Sequence, residues 1–253
     1  MDDMIKTPPA GPANEPFFNL PGVIVALSGV MIGLHGWRQW IATERDEDFI
    51  LRFSFIPLRY SDQGFARALF ADDQWARLWS PITYGLLHGD WQHVLVNTLW
   101  LVVFGSAVAW RFGPGRFLLF SLLCSVGGAA AHFMTHVGEA VPVVGASAAI
   151  SGLTAAACRF VFEAGAPLGG LRGSGASAFR RPAPPLLQSL SNPRIFGFVA
   201  LWFALTIVFG SGIIPSGLEE GTSIAWEAHL GGFLAGLVLF PLFDPILPRR
   251  LAD

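Results

Sequence analysis

Three short polar stretches stand inside long apolar runs, and their residue types are those of acyl transfer. Gly145-Ala146-Ser147 lies near the start of one run, and Ala228-His229-Leu230-Gly231-Gly232 near the start of another. His88 through His93 to Asn97 opens a third. Polar groups are costly in hydrocarbon, so a serine or histidine there points first to function. A serine beside a histidine is the smallest arrangement for nucleophilic catalysis, with the imidazole as general base. His93 and Asn97 are four residues apart and share one helix face. Their amide and ring N–H groups suit an oxyanion hole. Pro142 and the turn at Gly145 put Ser147 near a helix N-terminus, whose free N–H groups favour developing negative charge.

Each residue also has a plainer reading. Ser147 sits among small residues and could be a packing position, its hydroxyl bonded to the preceding turn. His93 and Asn97 could simply join helices, a contact worth about 1 kcal/mol. His229 is harder to explain this way, because a buried imidazole needs a partner or water. Gly232 and Gly236 form a GxxxG spacing that admits a close neighbour, and Gly145, Ala146 and Ala148 make the Ser147 helix a fitting one. His132 and His136 are spaced for two ligands on one face, but Phe133 stands where H-E-x-x-H has its glutamate. No metal and no cofactor are expected, and His35 carries no signal.

The elements that must position these groups follow from composition. The chain has 253 residues, 53% hydrophobic and only 13% charged, and a mean hydropathy of +0.52. Soluble domains carry roughly twice that share of charge, which makes a membrane protein the leading class. A net charge of −2 offers no footprint for nucleic acid. Cys124 and Cys158 lie within apolar runs, so a disulfide framework is not expected. Six runs reach the length of about 20 apolar residues that a spanning helix needs: roughly 20–42, 82–110, 116–137, 143–163, 195–214 and 224–243. Helices satisfy their own backbone in lipid, so the expected fold is an all-α membrane protein, a six-helix bundle over 20–243.

Arginines set the expected orientation. Arg111 and Arg116 follow the second run, Arg172, Arg180, Arg181 and Arg194 follow the fourth, and Arg249 and Arg250 lie in the tail 244–253. The positive-inside rule then places both termini in the cytoplasm. The first connection, 43–81, carries five arginines yet falls outside; its Phe, Leu and Trp residues predict an interfacial segment. Residues 1–19 read as a disordered tail, and 165–193 as a flexible Gly/Ser/Pro-rich loop. In this topology the second, fourth and sixth helices all enter from the outer face. Ser147 then lies about five residues into its helix and His229 about six, with His88, His93 and Asn97 at similar depth. At 1.5 Å per residue they descend by roughly 7–15 Å to a common level.

These residues resemble the rhomboid family of intramembrane serine proteases. His88-x4-His93-x3-Asn97, Gly145-x-Ser147 and Ala228-His229-x2-Gly232-x3-Gly236 are similar to its second-, fourth- and sixth-helix motifs, in the right order. The resemblance implies Ser147 as nucleophile, His229 as base, and His93 and Asn97 as oxyanion donors. It further implies that Gly145, Gly232 and Gly236 serve packing at the site. Single-spanning membrane-protein substrates would be cut in or near their transmembrane segment, with the outer loop near 211–223 capping the site. The organisation suits a multi-pass protein of a bacterial inner membrane; oligomeric state is unspecified. The sequence departs from the family pattern at Ala148, Ser80 and Ala109, and at Ser151, where an aromatic residue is common. Ser151 is also a rival nucleophile. The alternative reading is a catalytically silent relative that binds membrane-protein clients.

Overall fold

Within the described residues every apolar run contains a helix, the form in which a backbone satisfies itself where water is absent. The structure, a computed structural model, describes residues 20–61, 64–168, 176–210 and 225–246. The expected tail 1–19 and the capping loop near 211–223 lie outside the described residues. In chain order the helices are α1 Gly22–Arg38, α2 Thr43–Phe53, α3 Gly64–Leu69, α4 Ala76–Thr83 and α5 Trp91–Phe112. They continue with α6 Pro114–Thr135, α7 Ser147–Cys158, α8 Leu186–Leu190, α9 Pro193–Gly210 and α10 Trp226–Phe243. Short 3-10 turns link several of them, and a π-helical turn at Leu101–Gly105 interrupts α5. Among the described residues β-structure is limited to one isolated bridge, Phe55 with Val143.

Among the described residues three helices, α5, α6 and α10, are long and apolar enough to cross a membrane. The helices of the first, fourth and fifth runs are apolar but shorter. The largest departure from expectation is α7. Its run, 143–163, predicts a full span, yet the helix has 12 residues, about 18 Å against a hydrocarbon core of about 30 Å. Its surroundings account for this: ten of those residues are buried, so protein rather than lipid encloses it. Non-helical backbone at membrane depth is tolerated when it is enclosed in this way. Ser147 is consequently the first residue of its helix, not the fifth. His88 likewise precedes α5, in the approach to its N-terminus, rather than lying within the helix.

Small residues bring α6, α7 and α10 together. A side chain on Gly232 would overlap the Ala148 carbonyl, and one on Gly236 the Gly152 carbonyl. Gly152 in turn faces Cys124, and Gly128 faces Ala148. Both α7–α10 pairs advance together, so those helices run parallel. The two α6–α7 pairs run in opposite senses, so α6 is antiparallel. At the end of the bundle remote from Ser147, the Arg111 guanidinium clamps Asp244 at 2.9 and 2.8 Å. It also donates to the Phe179 and Arg181 carbonyls and lies over the Phe160 ring.

The first connection folds as α2 to α4 and docks on the segment before Ser147. Phe55 and Val143 exchange backbone hydrogen bonds, and Leu58 N–H donates to Glu139. Arg59 is buried, donating to the Leu51 carbonyl at 2.6 Å beside Asp73. Burial lowers the pKa of its guanidinium, an effect the Asp73 carboxylate opposes. Phe65, Trp75 and Leu78 of this connection stay exposed.

Candidate active site

The site is built from the turn before α7. Gly145 has φ +122°, a conformation L side chains rarely adopt. Its N–H donates to the Tyr84 carbonyl at 2.9 Å, and the Tyr84 hydroxyl donates to Ser125 of α6 at 2.8 Å. Tyr84 thus ties the turn to the bundle. Space as well as conformation demands glycine here. A Cβ at this position would lie 2.7 Å from His93 Nε2 and 3.6 Å from Ser147 Oγ. The His93 ring and the Ser147 hydroxyl therefore converge on the same point.

Asp90 caps α5 by accepting the His93 backbone N–H at 2.7 Å, a capping bond that holds the helix start in place. Gly89 N–H approaches His93 Nδ1 at 3.5 Å. With Nδ1 as acceptor, the neutral ring carries its proton on Nε2, the nitrogen facing Gly145 and Ser147. Asn97, one turn along, is buried. Its Nδ2 donates to the His93 carbonyl at 2.9 Å, and the amide's second N–H remains for another acceptor. His88 is buried edge-on against His93, ring centroids 5.0 Å apart, and Arg38 donates to its carbonyl at 2.7 Å. His35 packs edge-on against Trp91.

Ser147 is partly exposed, whereas Ser151 is 3% exposed. The Ser151 hydroxyl donates to the Ser147 carbonyl at 2.7 Å. It lies one turn further along the same helix face, buried and bonded back to the first turn.

His229 is the fourth residue of α10, half-buried, one turn before Gly232. Because Gly232 seats on Ala148 in a parallel packing, the helix ends carrying Ser147 and His229 stand side by side. Gly128 completes the level from α6, with the Ala228 carbonyl and Tyr84 hydroxyl both at its face. The residues from the three polar stretches thus meet at one end of the bundle.

A second cluster adjoins this end. His132 of α6 and His136, which caps its C-terminus, face Glu227 of α10, with one potential ligand atom from each within 4.8 Å of the others. Local spacing gives only the two histidines; the glutamate arrives from a helix far along the chain, 91 residues after His136, so no local motif announces it. Tyr84 was equally silent in the sequence, where it reads as an ordinary aromatic of an apolar run.

Comparison with known proteins agrees with the resemblance. The profile of the Rhomboid domain matches residues 75–244. Rhomboid protease GluP of Bacillus subtilis (strain 168) is 41% identical over 85 residues, 34% of this chain and 16% of that protein. RHOMBOID-like protein 12, mitochondrial, of Arabidopsis thaliana is 28% identical over 111 residues, 40% of this chain and 33% of that protein. The matches thus span a sixth and a third of the lengths of these relatives.

Proposed function

The chain belongs to the Rhomboid family, and on that premise we propose that it is an intramembrane serine endopeptidase. Family and apolar helices together make it an integral membrane protein. The observation carrying the proposal is the parallel seating of α10 on α7 at Gly232 and Gly236, which supports a pairing of His229 with the partly exposed Ser147. His93 Nε2 meets the same turn from α5.

In the proposed reaction the Ser147 hydroxyl attacks a peptide carbonyl of a transmembrane substrate while His229 takes its proton. The tetrahedral oxyanion is held by the Ser147 backbone N–H, one of the unpaired donors of the first turn of α7. His93 Nε2–H and the second Asn97 amide proton add side-chain donors. His229 then gives its proton to the leaving amine, and the acyl-enzyme forms. Water, activated by the same imidazole, hydrolyses the ester and frees Ser147.

The proposed setting is a six-span bundle with both termini cytoplasmic, in a bacterial inner membrane. The shorter helices α1, α7 and α9 complete the count with the three long ones. The exposed Phe65, Trp75 and Leu78 support an interfacial seat for the first connection. The test is cleavage of a single-spanning substrate in proteoliposomes. Wild-type protein cleaves it, whereas Ser147→Ala and His229→Ala each abolish cleavage while keeping the wild-type melting temperature. Undiminished cleavage by either variant removes that residue from the mechanism.

A further inference from the structure

We propose that His132, His136 and Glu227 form a site for one divalent transition-metal cation of the zinc class, bridging α6 to α10 beside the catalytic level. Three observations carry it. The first is donor geometry. Glu227 Oε1 lies 3.9 Å from His132 Nδ1 and 3.5 Å from His136 Nδ1. Two ligands of a tetrahedral zinc stand about 3.4 Å apart, given bonds of about 2.1 Å.

The second observation is the outer support of the ligands. His132 Nε2 faces the Val141 carbonyl at 3.2 Å. Donation there leaves the Nδ1 lone pair directed at the carboxylate, the same backbone support that orients metal-bound histidines elsewhere. The two imidazoles stack with centroids 4.4 Å apart, so both edges present to one carboxylate.

The third observation is an unmet polar demand. His132 is 2% exposed, and Glu227 is 9% exposed. His132 Nδ1 and Glu227 Oε2 are buried without a hydrogen-bond partner among the described residues. His132 Nδ1 faces the other carboxylate oxygen, Glu227 Oε1, at 3.9 Å, and two acceptors so placed repel unless a cation or proton comes between them. His136 Nδ1 already lies 3.2 Å from the His132 carbonyl and 2.9 Å from the Thr135 hydroxyl, contacts that a bound ion would replace. One divalent ion serves all three groups and leaves a fourth position open. Two imidazoles and a carboxylate select zinc-class ions over magnesium or calcium, which prefer all-oxygen shells.

The site has a consequence for the neighbouring chemistry. Glu227 is two residues before His229, in the first turn of α10. A bound ion pins that turn to the C-terminal end of α6, and thereby steadies the general base.

The test uses the full chain, purified in detergent, freed of any histidine tag and stripped of metal. Titration with zinc chloride, read by calorimetry, should show one saturable site per chain, with magnesium and calcium chloride failing to compete. His136→Ala and Glu227→Gln should each weaken zinc at least about tenfold. Zinc should raise the melting temperature of the wild type but not of these variants. Ser147→Ala should bind zinc like the wild type, which makes the result independent of the proteolytic reading. Wild-type zinc affinity in His136→Ala and Glu227→Gln would overturn the site. So would the absence of saturable binding above that of a variant lacking all three ligands.

Discussion

At the residue scale, two serines one turn apart differ in what the fold leaves free, and the proposed nucleophile is the first of them. Ser147 heads its helix, with the His93 ring across the turn, while Ser151 is buried and bonded back to the Ser147 carbonyl. Ser151→Ala should therefore keep most of the cleavage rate, since a serine hydroxyl bonded back to the carbonyl one turn earlier contributes little to the helix. Asn97→Ala should lower kcat by about 10²–10³ with little change in KM, as expected for a donor used only in the transition state. Steady-state kinetics on a fluorogenic transmembrane peptide reads both, and an unchanged kcat in Asn97→Ala would exclude the amide. Ser147, His229, His93 and Asn97 were legible in the sequence because polar side chains are conspicuous in apolar runs. The function of Gly145 was legible only in part. Its turn was readable, but not that the His93 ring fills the space a side chain would need.

At the scale of elements, the parallel contact of α7 with α10 aligns the site. Gly232→Val would drive a branched side chain into the Ala148 carbonyl. Overpacking of that kind costs about 1–3 kcal/mol and separates the helices. Cleavage should fall below detection and the melting temperature should drop. Gly29→Ala, in α1, meets open space and should leave cleavage unaltered; equal activity in the two variants would contradict the packing account. The GxxxG spacing made this contact readable in advance. The length of α7 was not readable, because hydropathy counts apolar residues whether lipid or protein surrounds them. The composition of 165–193 predicts a flexible loop. Its described part includes α8, and Arg159 donates to the Pro184 carbonyl and the Ser189 hydroxyl there. Buried arginines need acceptors, and this segment supplies them.

At the scale of the whole molecule, the bundle is closed at its two ends by different means. One end holds the polar level and the histidine–glutamate cluster, and the other holds the clamp of Arg111 on Asp244. Those side chains are 0% and 7% exposed. Asp244→Ala would leave a buried guanidinium without its counter-charge, a loss of about 3–5 kcal/mol. Its melting temperature in detergent should fall well below that of the wild type, and an unchanged value would show that the clamp is dispensable. The six apolar runs were visible because bilayer thickness imposes a length on sequence. The partnership of Arg111 with Asp244, 133 positions apart, was invisible for the opposite reason: nothing local encodes it. The same holds for Glu227 and its histidines.

The central claim is that Ser147 is a nucleophile activated by His229, and a fluorophosphonate probe tests it most directly. The folded protein in detergent should be labelled at Ser147, identified by peptide mapping, and the labelling should vanish in His229→Ala. Labelling at Ser151, or no labelling while a known serine hydrolase reacts alongside, would contradict the account.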